Sequence, residues 1–189
     1  MIHIDVESGW IREARRVPSP NFDERPVDCC AELIIVHGIS LPPGEFGGEW
    51  IDRLFTNTVD PDDHPYFCEI VDLRVSSHLL IRRDGELVQY VSLAKRAWHA
   101  GVSCYRDREK CNDYSIGIEL EGTDEMPYTD VQYDVLVSVA QALRSGIPSL
   151  AEAPVVGHCD VAAGRKTDPG PAFDWERLNA QLTTTGVSE

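Results

Sequence analysis

Two short apolar stretches that each lead into a histidine constrain the fold of this chain most strongly. Leu33–His37 reads LIIVH, and residues 154–158 read PVVGH. A short apolar run bounded by turn residues is typical of a strand that is buried on both faces. The sequence therefore predicts two buried strands, and their ends lie where a mixed sheet commonly carries a functional site.

Two further segments have the patterns of strands. Leu79–Val91 contains Asp84-Gly85 between two apolar segments, which predicts a β-hairpin. Ser115–Glu121 alternates in polarity, which predicts a strand with two different faces. One face would carry Ile116, Ile118 and Leu120, and the other Gly117, Glu119 and Glu121.

Three segments are predicted to be helices. Glu49–Phe55 is short, and Thr129–Arg144 is the clearest, because Thr129 and Gln132 have the spacing of a capping box. Gly146 suits the C-terminal end of that helix. Asp174 is predicted to cap a last helix through Leu182. The apolar stripe of the Thr129–Arg144 helix would consist of Val131, Val135, Val139 and Leu143.

The mixture of strands and helices predicts an α/β (mixed α+β) fold. We expect one domain over residues 1–189, because a typical domain has about 100–200 residues. Its central mixed β-sheet would be flanked by helices. Hydrophobic residues make up 42% of the chain, which is enough for a core. We expect a monomer.

The charge of the chain excludes several kinds of partner. The formal net charge is −15 at pH 7, from 32 acidic and 17 basic residues. A nucleic-acid backbone or an anionic membrane is bound by a basic face, which this composition argues against. We therefore expect no nucleic acid and no membrane among the partners.

The N-terminus and the cysteines predict the compartment. Asp5 and Glu7 interrupt the apolar start, and the arginines follow it, which is unlike a secretory signal. No run approaches the roughly 18 apolar residues of a membrane span. Six cysteines without a C-x-x-C pair favour free thiols over a zinc ribbon or a disulfide framework. The expected location is a bacterial-type cytoplasm.

Two histidines at the ends of short apolar strands could supply two ligands of a metal ion. Catalytic zinc sites commonly use three protein ligands and keep a fourth position for water. The candidates for the third ligand are Asp168, then Asp160, then Cys159. The alternative is that both histidines are ordinary residues of the core or the sheet rim.

A water molecule that attacks a substrate at such a metal needs a base to accept its proton. The oxyanion that forms needs a cation nearby. Glu119 could accept the proton, and Lys166, two residues before Asp168, could stabilise an oxyanion. The alternative interpretations are a solvated strand face for Glu119 and a surface loop for Lys166.

Four separated blocks of the sequence resemble one enzyme family. They are VHGISLPPGEFGG, AWHAGVS, NDYSIGIELEGTD and GHCDVAAGRKTDPGPAFDW. Together, and in this order, they resemble the AmpD-type N-acetylmuramyl-L-alanine amidases. The resemblance runs from about Gly9 to about Leu182.

The resemblance implies a cytoplasmic, zinc-dependent enzyme. Its substrate would be the amide between the lactyl group of 1,6-anhydro-N-acetylmuramic acid and L-alanine, so that cell-wall fragments are recycled and β-lactamase-inducing muropeptides are removed. Carried onto this sequence, the resemblance makes His37, His158 and Asp168 the Zn²⁺ ligands. It makes Glu119 the general base and Lys166 the residue that stabilises the transition state. Positions 159 and 160 then drop out as ligands.

The resemblance also implies four substrate contacts. Arg74 corresponds to a position that holds the ligand, and Trp98 to one that lines the cleft. Gly38 and Lys110 correspond to positions that touch the muropeptide, where relatives usually have asparagine and often arginine. Lysine lacks the bidentate fork that arginine offers a carboxylate. These two departures bear on affinity for a diaminopimelate-bearing peptide and not on the zinc chemistry.

Two other functions are compatible with the same motifs. An exported amidase of this fold would act on intact peptidoglycan, although no export signal is visible. A non-catalytic peptidoglycan-recognition protein would keep the fold without cleavage. Such proteins often lack the third zinc ligand, whereas Asp168 is present here together with Glu119 and Lys166.

Overall fold

The computed structural model describes residues 1–184. The helices of this part are α1 (Trp50–Phe55), α2 (Phe67–Ile70), α3 (Asp130–Gly146), α4 (His158–Val161) and α5 (Trp175–Thr184). The strands are β1 (Ile4–Asp5), β2 (Trp10–Ile11), β3 (Arg15–Arg16), β4 (Phe22–Asp23), β5 (Leu33–Ile39), β6 (Leu79–Ile81), β7 (Leu87–Gln89), β8 (Arg96–Ala97), β9 (Cys104–Tyr105), β10 (Arg108–Glu109), β11 (Ser115–Glu121) and β12 (Val155–Gly157). Cys111–Asp113 and Pro148–Leu150 form short 3₁₀ turns.

Six of these strands form a central mixed sheet in the order β12-β5-β11-β6-β7-β3. Strands β12, β5, β11 and β6 are parallel, β6 and β7 are an antiparallel pair, and β3 is parallel to β7. In the register, Ile34 of β5 lies between Val155 of β12 and Ile116 of β11. The predicted fold class, a single mixed α/β domain with a central mixed sheet, is confirmed.

Both faces of the parallel centre are covered. Ile34 and Val36 of β5 belong to the core that includes α3 and α5. Leu33 and Ile35 face the opposite side, where they pack with residues of the segment 100–114 and α4. Helices α1 and α2 cover the β6–β7 end of the sheet with a further apolar cluster. His37 follows Ile35 by two positions, so it lies on the face away from α3.

The two histidine-ending segments differ from their predicted bounds. Strand β5 continues past His37 to Ile39, whereas β12 ends at Gly157. His158 therefore is not a strand residue but the first residue of α4, and this part of the prediction was wrong. The physical reason is Asp160, whose carboxylate accepts a hydrogen bond from the Gly157 amide at 2.7 Å and caps the helical turn.

Strand β11 is buried throughout, so the solvated-face alternative for Glu119 was wrong. Its predicted alternation is correct, with Ile116 and Ile118 in the α3-side core. The second face is closed as well, and Glu119 and Glu121 are 7% and 2% exposed. Strands β5 and β6 flank β11, and central strands of parallel sheets are commonly covered on both faces.

Helix α3 has the predicted capping box, but its buried face is shifted. Thr129 Oγ1 accepts from the Gln132 amide, and the Gln132 side chain accepts from the Thr129 amide. Val131 is 39% exposed instead of lying on the buried stripe. Its methyl groups cover the hairpin turn at Gly85. The buried residues are Gln132, Tyr133, Leu136, Val139, Ala140 and Leu143.

The other predicted elements agree with the structure. Helix α1 begins one residue after the predicted start, and the hairpin turn has Gly85 at a φ of +88°. Asp174 Oδ1 accepts from the Arg177 amide at 2.9 Å at the start of α5. The six cysteines all lie in the described part and are free thiols. Within residues 1–184, no helix is long and apolar enough to cross a membrane.

Replacing Thr129 with alanine is expected to lower the free energy of unfolding by about 1 kcal/mol, because the N-cap of α3 loses its side-chain acceptor. Thr129 Oγ1 also donates to the Arg83 carbonyl at 2.8 Å. Urea unfolding measures the effect. Ser138→Ala, an exposed position on the same helix, is the control and should change stability by less than about 0.5 kcal/mol. Equal effects of the two variants would contradict the capping role.

Candidate metal centre

His37 is held rigidly on the face of the sheet that is directed away from α3. Strand β5 pairs with β12 on one side and with β11 on the other, so its backbone is fixed from both sides. The register places His37 directly beside Glu119 of β11. Paired residues of neighbouring strands point to the same face, so the imidazole and the carboxylate share one site. His37 is only 2% exposed.

His158 reaches the same place from the neighbouring strand. Gly157, the last residue of β12, pairs with Val36 of β5. The next residue therefore lies beside His37, and the two imidazole centroids are 4.3 Å apart. Helix α4 begins at His158 and turns the chain away from the direction of β12. The planes of the two imidazole rings are inclined at 62° to each other.

Asp168 returns to the two histidines after the loop 159–167. Its carbonyl accepts from the Cys159 amide at 2.9 Å, which closes the loop. Asp168 Oδ2 lies 3.0 Å from His158 Nδ1 and 3.4 Å from His37 Nδ1. Gly170 turns the chain away with a φ of +82°, where a Cβ would lie 2.2 Å from the backbone of Asp124. Glycine is required at this turn.

The three residues form a group that could hold a metal ion. One ligand atom from each of His37, His158 and Asp168 lies within 4.8 Å of the others. The two other candidates for the third ligand, Cys159 and Asp160, do not belong to this group. Asp160 instead uses its carboxylate to cap α4.

Burial keeps the imidazoles of His37, His78 and His99 neutral, and a neutral ring is the state that a metal ligand needs. Burial lowers the pKa of His37 to about 4, although the contact with Asp168 opposes the shift. Burial likewise lowers the pKa of His78 to about 3. It holds the pKa of His99 well below its ordinary value, and the neighbouring imidazoles add to this effect. At neutral pH each of these rings therefore carries one N–H.

Glu119 and Lys166 share a small cleft with the candidate ligands. Burial raises the pKa of Glu119 well above its ordinary value, the Asp168 carboxylate raises it further, and Lys166 opposes the shift. Lys166 is exposed at the rim. The cleft has a volume of about 210 Å³. It is lined by His37, Gly38, Ile39, Leu54, Phe55, Leu73, Val75, Ser76, Trp98, His99, Glu119, His158, Lys166 and Asp168.

Comparison with known proteins identifies the family. A family model described as N-acetylmuramoyl-L-alanine amidase matches residues 26–171. The chain belongs to this amidase family. The family that the sequence motifs predicted is thus confirmed, and with it the class of enzyme, a hydrolase of an amide bond.

An AmpD sequence and an AmpD crystal structure match nearly the whole chain, and a more distant amidase structure matches most of it. The 1,6-anhydro-N-acetylmuramyl-L-alanine amidase AmpD of Escherichia coli K12 is 64% identical over 178 residues, which are 94% of this chain and 97% of the relative. A crystal structure of a selenomethionine derivative of AmpD has a TM-score of 0.91 and 61% identity, covering 95% of this chain and 99% of the other. AmpDh3 of Pseudomonas aeruginosa, solved in complex with an anhydromuramic pentapeptide, has a TM-score of 0.57 and 26% identity, covering 80% and 59%.

In this amidase, two of the four predicted substrate-contact residues line the cleft. Trp98 is half-buried, and its Nε1 donates to Asp23 at 2.7 Å. Gly38 contributes only backbone, and its amide lies 3.4 Å from Asp168 Oδ2. A Cβ at position 38 would lie 2.5 Å from the Tyr128 hydroxyl. A side chain there would therefore require Tyr128 to move.

The other two predicted contacts lie outside the residues that line this cleft. Arg74 is exposed, and its guanidinium donates to the carbonyls of Val71 and Leu73 in its own loop. Lys110 lines a neighbouring cavity of about 630 Å³ together with Arg165. Its backbone is left-handed, with a φ of +59°. The substrate role of both residues stays a prediction.

His99 is a residue of the amidase site that sequence reasoning missed. It lines the cleft, and its Nδ1 lies 2.9 Å from His37 Nε2. The sequence signal that could have identified it is its position in AWHAGVS, one of the four blocks that resemble the amidase family. The block alone does not reveal that this imidazole faces another imidazole, because the two residues are 62 positions apart.

Proposed function

We propose that this chain is a zinc amidase that hydrolyses the bond between the lactyl group of 1,6-anhydro-N-acetylmuramic acid and L-alanine. The observation that carries the proposal is the group of His37, His158 and Asp168 with Glu119 beside it on the neighbouring strand. The E. coli relative has the name of this activity and matches almost end to end. The proposed role is the recycling of cell-wall fragments in the cytoplasm, which lowers the level of β-lactamase-inducing muropeptides.

The residues present fit a zinc ion. Two imidazole nitrogens and one carboxylate oxygen are the donor types of catalytic zinc sites, which use three protein ligands and leave one position open. The two histidines are buried and His37 is neutral, so no proton needs to be displaced from a cationic ring. When bound, zinc polarises a carbonyl and lowers the pKa of a water molecule.

Glu119 is proposed to move the proton. Its carboxylate lies in the cleft next to the ligands, and its raised pKa makes it a stronger base than an exposed glutamate. It would accept a proton as the water oxygen attacks the lactyl carbonyl carbon. The same carboxyl group can then deliver that proton to the amine nitrogen of L-alanine as the C–N bond breaks.

Lys166 is proposed to stabilise the charge that develops on the carbonyl oxygen. It lines the cleft close enough to Glu119 and His37 to affect the pKa of both. An ammonium at this position favours the transition state over the neutral ground state. Because the whole chain has a net charge of −15, local cations are also needed for an acidic peptide, and Arg74 and Lys110 are proposed to serve in this.

Lys166→Met is expected to lower kcat by about 10²–10³-fold with zinc still bound, since an oxyanion-stabilising donor is lost. Steady-state kinetics with anhydro-muramyl tripeptide and elemental analysis measure the two quantities. Lys95→Met is the control, because Lys95 pairs with Glu24 on the surface and lies outside the residues that line the cleft. An unchanged kcat in the Lys166 variant would show that Lys166 does not stabilise the transition state.

The substrate class is tested by comparing soluble anhydro-muropeptides with intact sacculi. We expect release of peptide from the former, loss of activity after chelation, and recovery when zinc is added. Cleavage of sacculi with little activity on anhydro-muropeptides would support an amidase of intact peptidoglycan instead. Binding of muropeptide without any hydrolysis in the zinc-loaded protein would support a recognition protein.

We propose a monomer and one amidase domain over residues 1–189, with its core at about 9–182. The family match at 26–171 falls within this core. Size-exclusion chromatography with light scattering tests the monomer directly.

A further inference from the structure

A chain of hydrogen bonds begins at a backbone carbonyl and runs toward His37. Ser115 Oγ lies 2.6 Å from the carbonyl oxygen of Cys111. A carbonyl can only accept, so the single hydroxyl hydrogen of Ser115 is used there. The remaining lone pairs of Ser115 Oγ face His99 Nε2 at 3.2 Å. His99 therefore carries its hydrogen on Nε2.

This arrangement determines the tautomer of His37. A neutral imidazole with its hydrogen on Nε2 has an acceptor at Nδ1. His99 Nδ1 lies 2.9 Å from His37 Nε2, so His37 donates from Nε2. Its Nδ1 is then unprotonated and points toward Asp168 Oδ2 at 3.4 Å. A hydrogen bond on one ring nitrogen thus sets which nitrogen is free for a metal.

The residue after His99 orients the second histidine in the same sense. His158 Nε2 lies 3.3 Å from the carbonyl oxygen of Ala100, which again can only accept. When the neutral His158 ring carries its hydrogen on Nε2 to donate to this carbonyl, its Nδ1 is an acceptor, and that atom lies 3.0 Å from Asp168 Oδ2. His37 Nδ1, His158 Nδ1 and Asp168 Oδ2 are then three acceptors that face one another. Their closeness is favourable when a cation lies between them.

The His99–Ala100 segment is itself held in place. Asn112 Oδ1 accepts from the amides of His99 at 3.2 Å and Ala100 at 2.8 Å, and Asn112 is 6% exposed. The His99 ring lies against Gly117 of β11, where a Cβ would be 2.5 Å from His99 Cγ. A side chain at position 117 would displace the ring from His37.

We propose that the His99–Ala100 segment orients both histidine ligands and that His99 is a positioning residue of the zinc site. Its role is to accept the Nε2 hydrogen of His37 and so present Nδ1 to the ion. The inference rests on the proposed zinc site and adds a residue outside the ligand set. Outer partners of this kind typically change metal affinity by about tenfold to hundredfold.

Two substitutions at position 99 separate this role from simple packing. His99→Phe keeps a ring against Gly117 but has no acceptor for His37. His99→Asn keeps an acceptor, since the amide oxygen of asparagine can take the place of His99 Nδ1. We expect zinc affinity, measured by competition with a chromogenic chelator, to fall by about tenfold to hundredfold in His99→Phe and to be largely restored in His99→Asn. His64→Phe, outside the cleft lining, is the matched control and should bind zinc like the wild type.

The tautomer itself is read in the full-length protein after the metal is removed. Long-range ¹H–¹⁵N imidazole spectra should show the wild-type His37 hydrogen on Nε2. In His99→Phe the hydrogen should move to Nδ1, where Asp168 accepts it. A wild-type His37 protonated at Nδ1 would overturn the inference, even if a variant failed to fold.

The outcomes also separate this inference from the proposed function. Wild-type protein that binds no zinc by elemental analysis would overturn both. Wild-type protein that binds zinc, together with a folded His99→Phe variant of equal affinity and unchanged His37 tautomer, would overturn the role of His99 alone. Equal losses of zinc affinity in His99→Phe and His99→Asn would likewise show that His99 contributes only by packing.

Discussion

Glu119→Gln is expected to lower kcat for anhydro-muramyl tripeptide by about 10²–10⁴-fold while zinc remains bound. Glutamine has nearly the shape of glutamate but cannot accept the proton of the attacking water. The ligand group of His37, His158 and Asp168 is unchanged by the substitution. Steady-state kinetics and elemental analysis of the same preparation measure both quantities.

Glu121→Gln is the matched control for this variant. Glu121 lies on the same strand and is also buried, but its carboxylate accepts from the amides of Gly47 and Arg83. We expect it to change stability and to leave kcat of the folded protein near the wild-type value. Full activity of Glu119→Gln would show that another group takes the proton.

The raised pKa of Glu119 also predicts a pH-dependent effect on stability. An acid whose pKa is higher in the folded state stabilises the fold when it is protonated, and this contribution is lost as the pH rises from its unfolded pKa through its folded pKa. Glu119→Gln avoids that loss. In metal-free protein the variant should therefore gain stability over the wild type as the pH rises above about 4, as measured by urea unfolding. A difference that does not change with pH would contradict the raised pKa.

His37→Ala is expected to lose most of its zinc, and its activity should fall to the level of chelated wild-type protein. The substitution leaves only His158 and Asp168 of the three ligand atoms, whereas catalytic zinc sites generally use three. Elemental analysis after gel filtration measures the metal, and circular dichroism shows that the protein is folded. His64→Ala, outside the cleft lining, is the control. Full zinc occupancy of the His37 variant would show that His37 is not a zinc ligand.

Patterns that depend only on residues close together in the sequence predicted their elements correctly. Thr129 and Gln132 form the predicted capping box, and Asp84-Gly85 forms the predicted hairpin turn, because both depend on spacing alone. The predictions about burial were less successful. Val131 was placed in the core and is exposed at the hairpin, while Glu119 had a solvated alternative and is buried. Burial depends on which elements pack together, and a periodic pattern contains only part of that information.

The sequence by itself determined the family and the fold class, and it predicted the five residues that are proposed for zinc binding and catalysis. The family follows from four blocks of sequence that match together and in order, and three of these blocks contain the five residues. Only the tertiary structure decided that His37 and Glu119 are neighbours in the sheet register, and that Asp168 returns between the two histidines. It alone brought His99 to His37, since a contact between residues 62 positions apart is made by the packing of the 97–114 segment on the sheet and leaves no periodic signal in the chain.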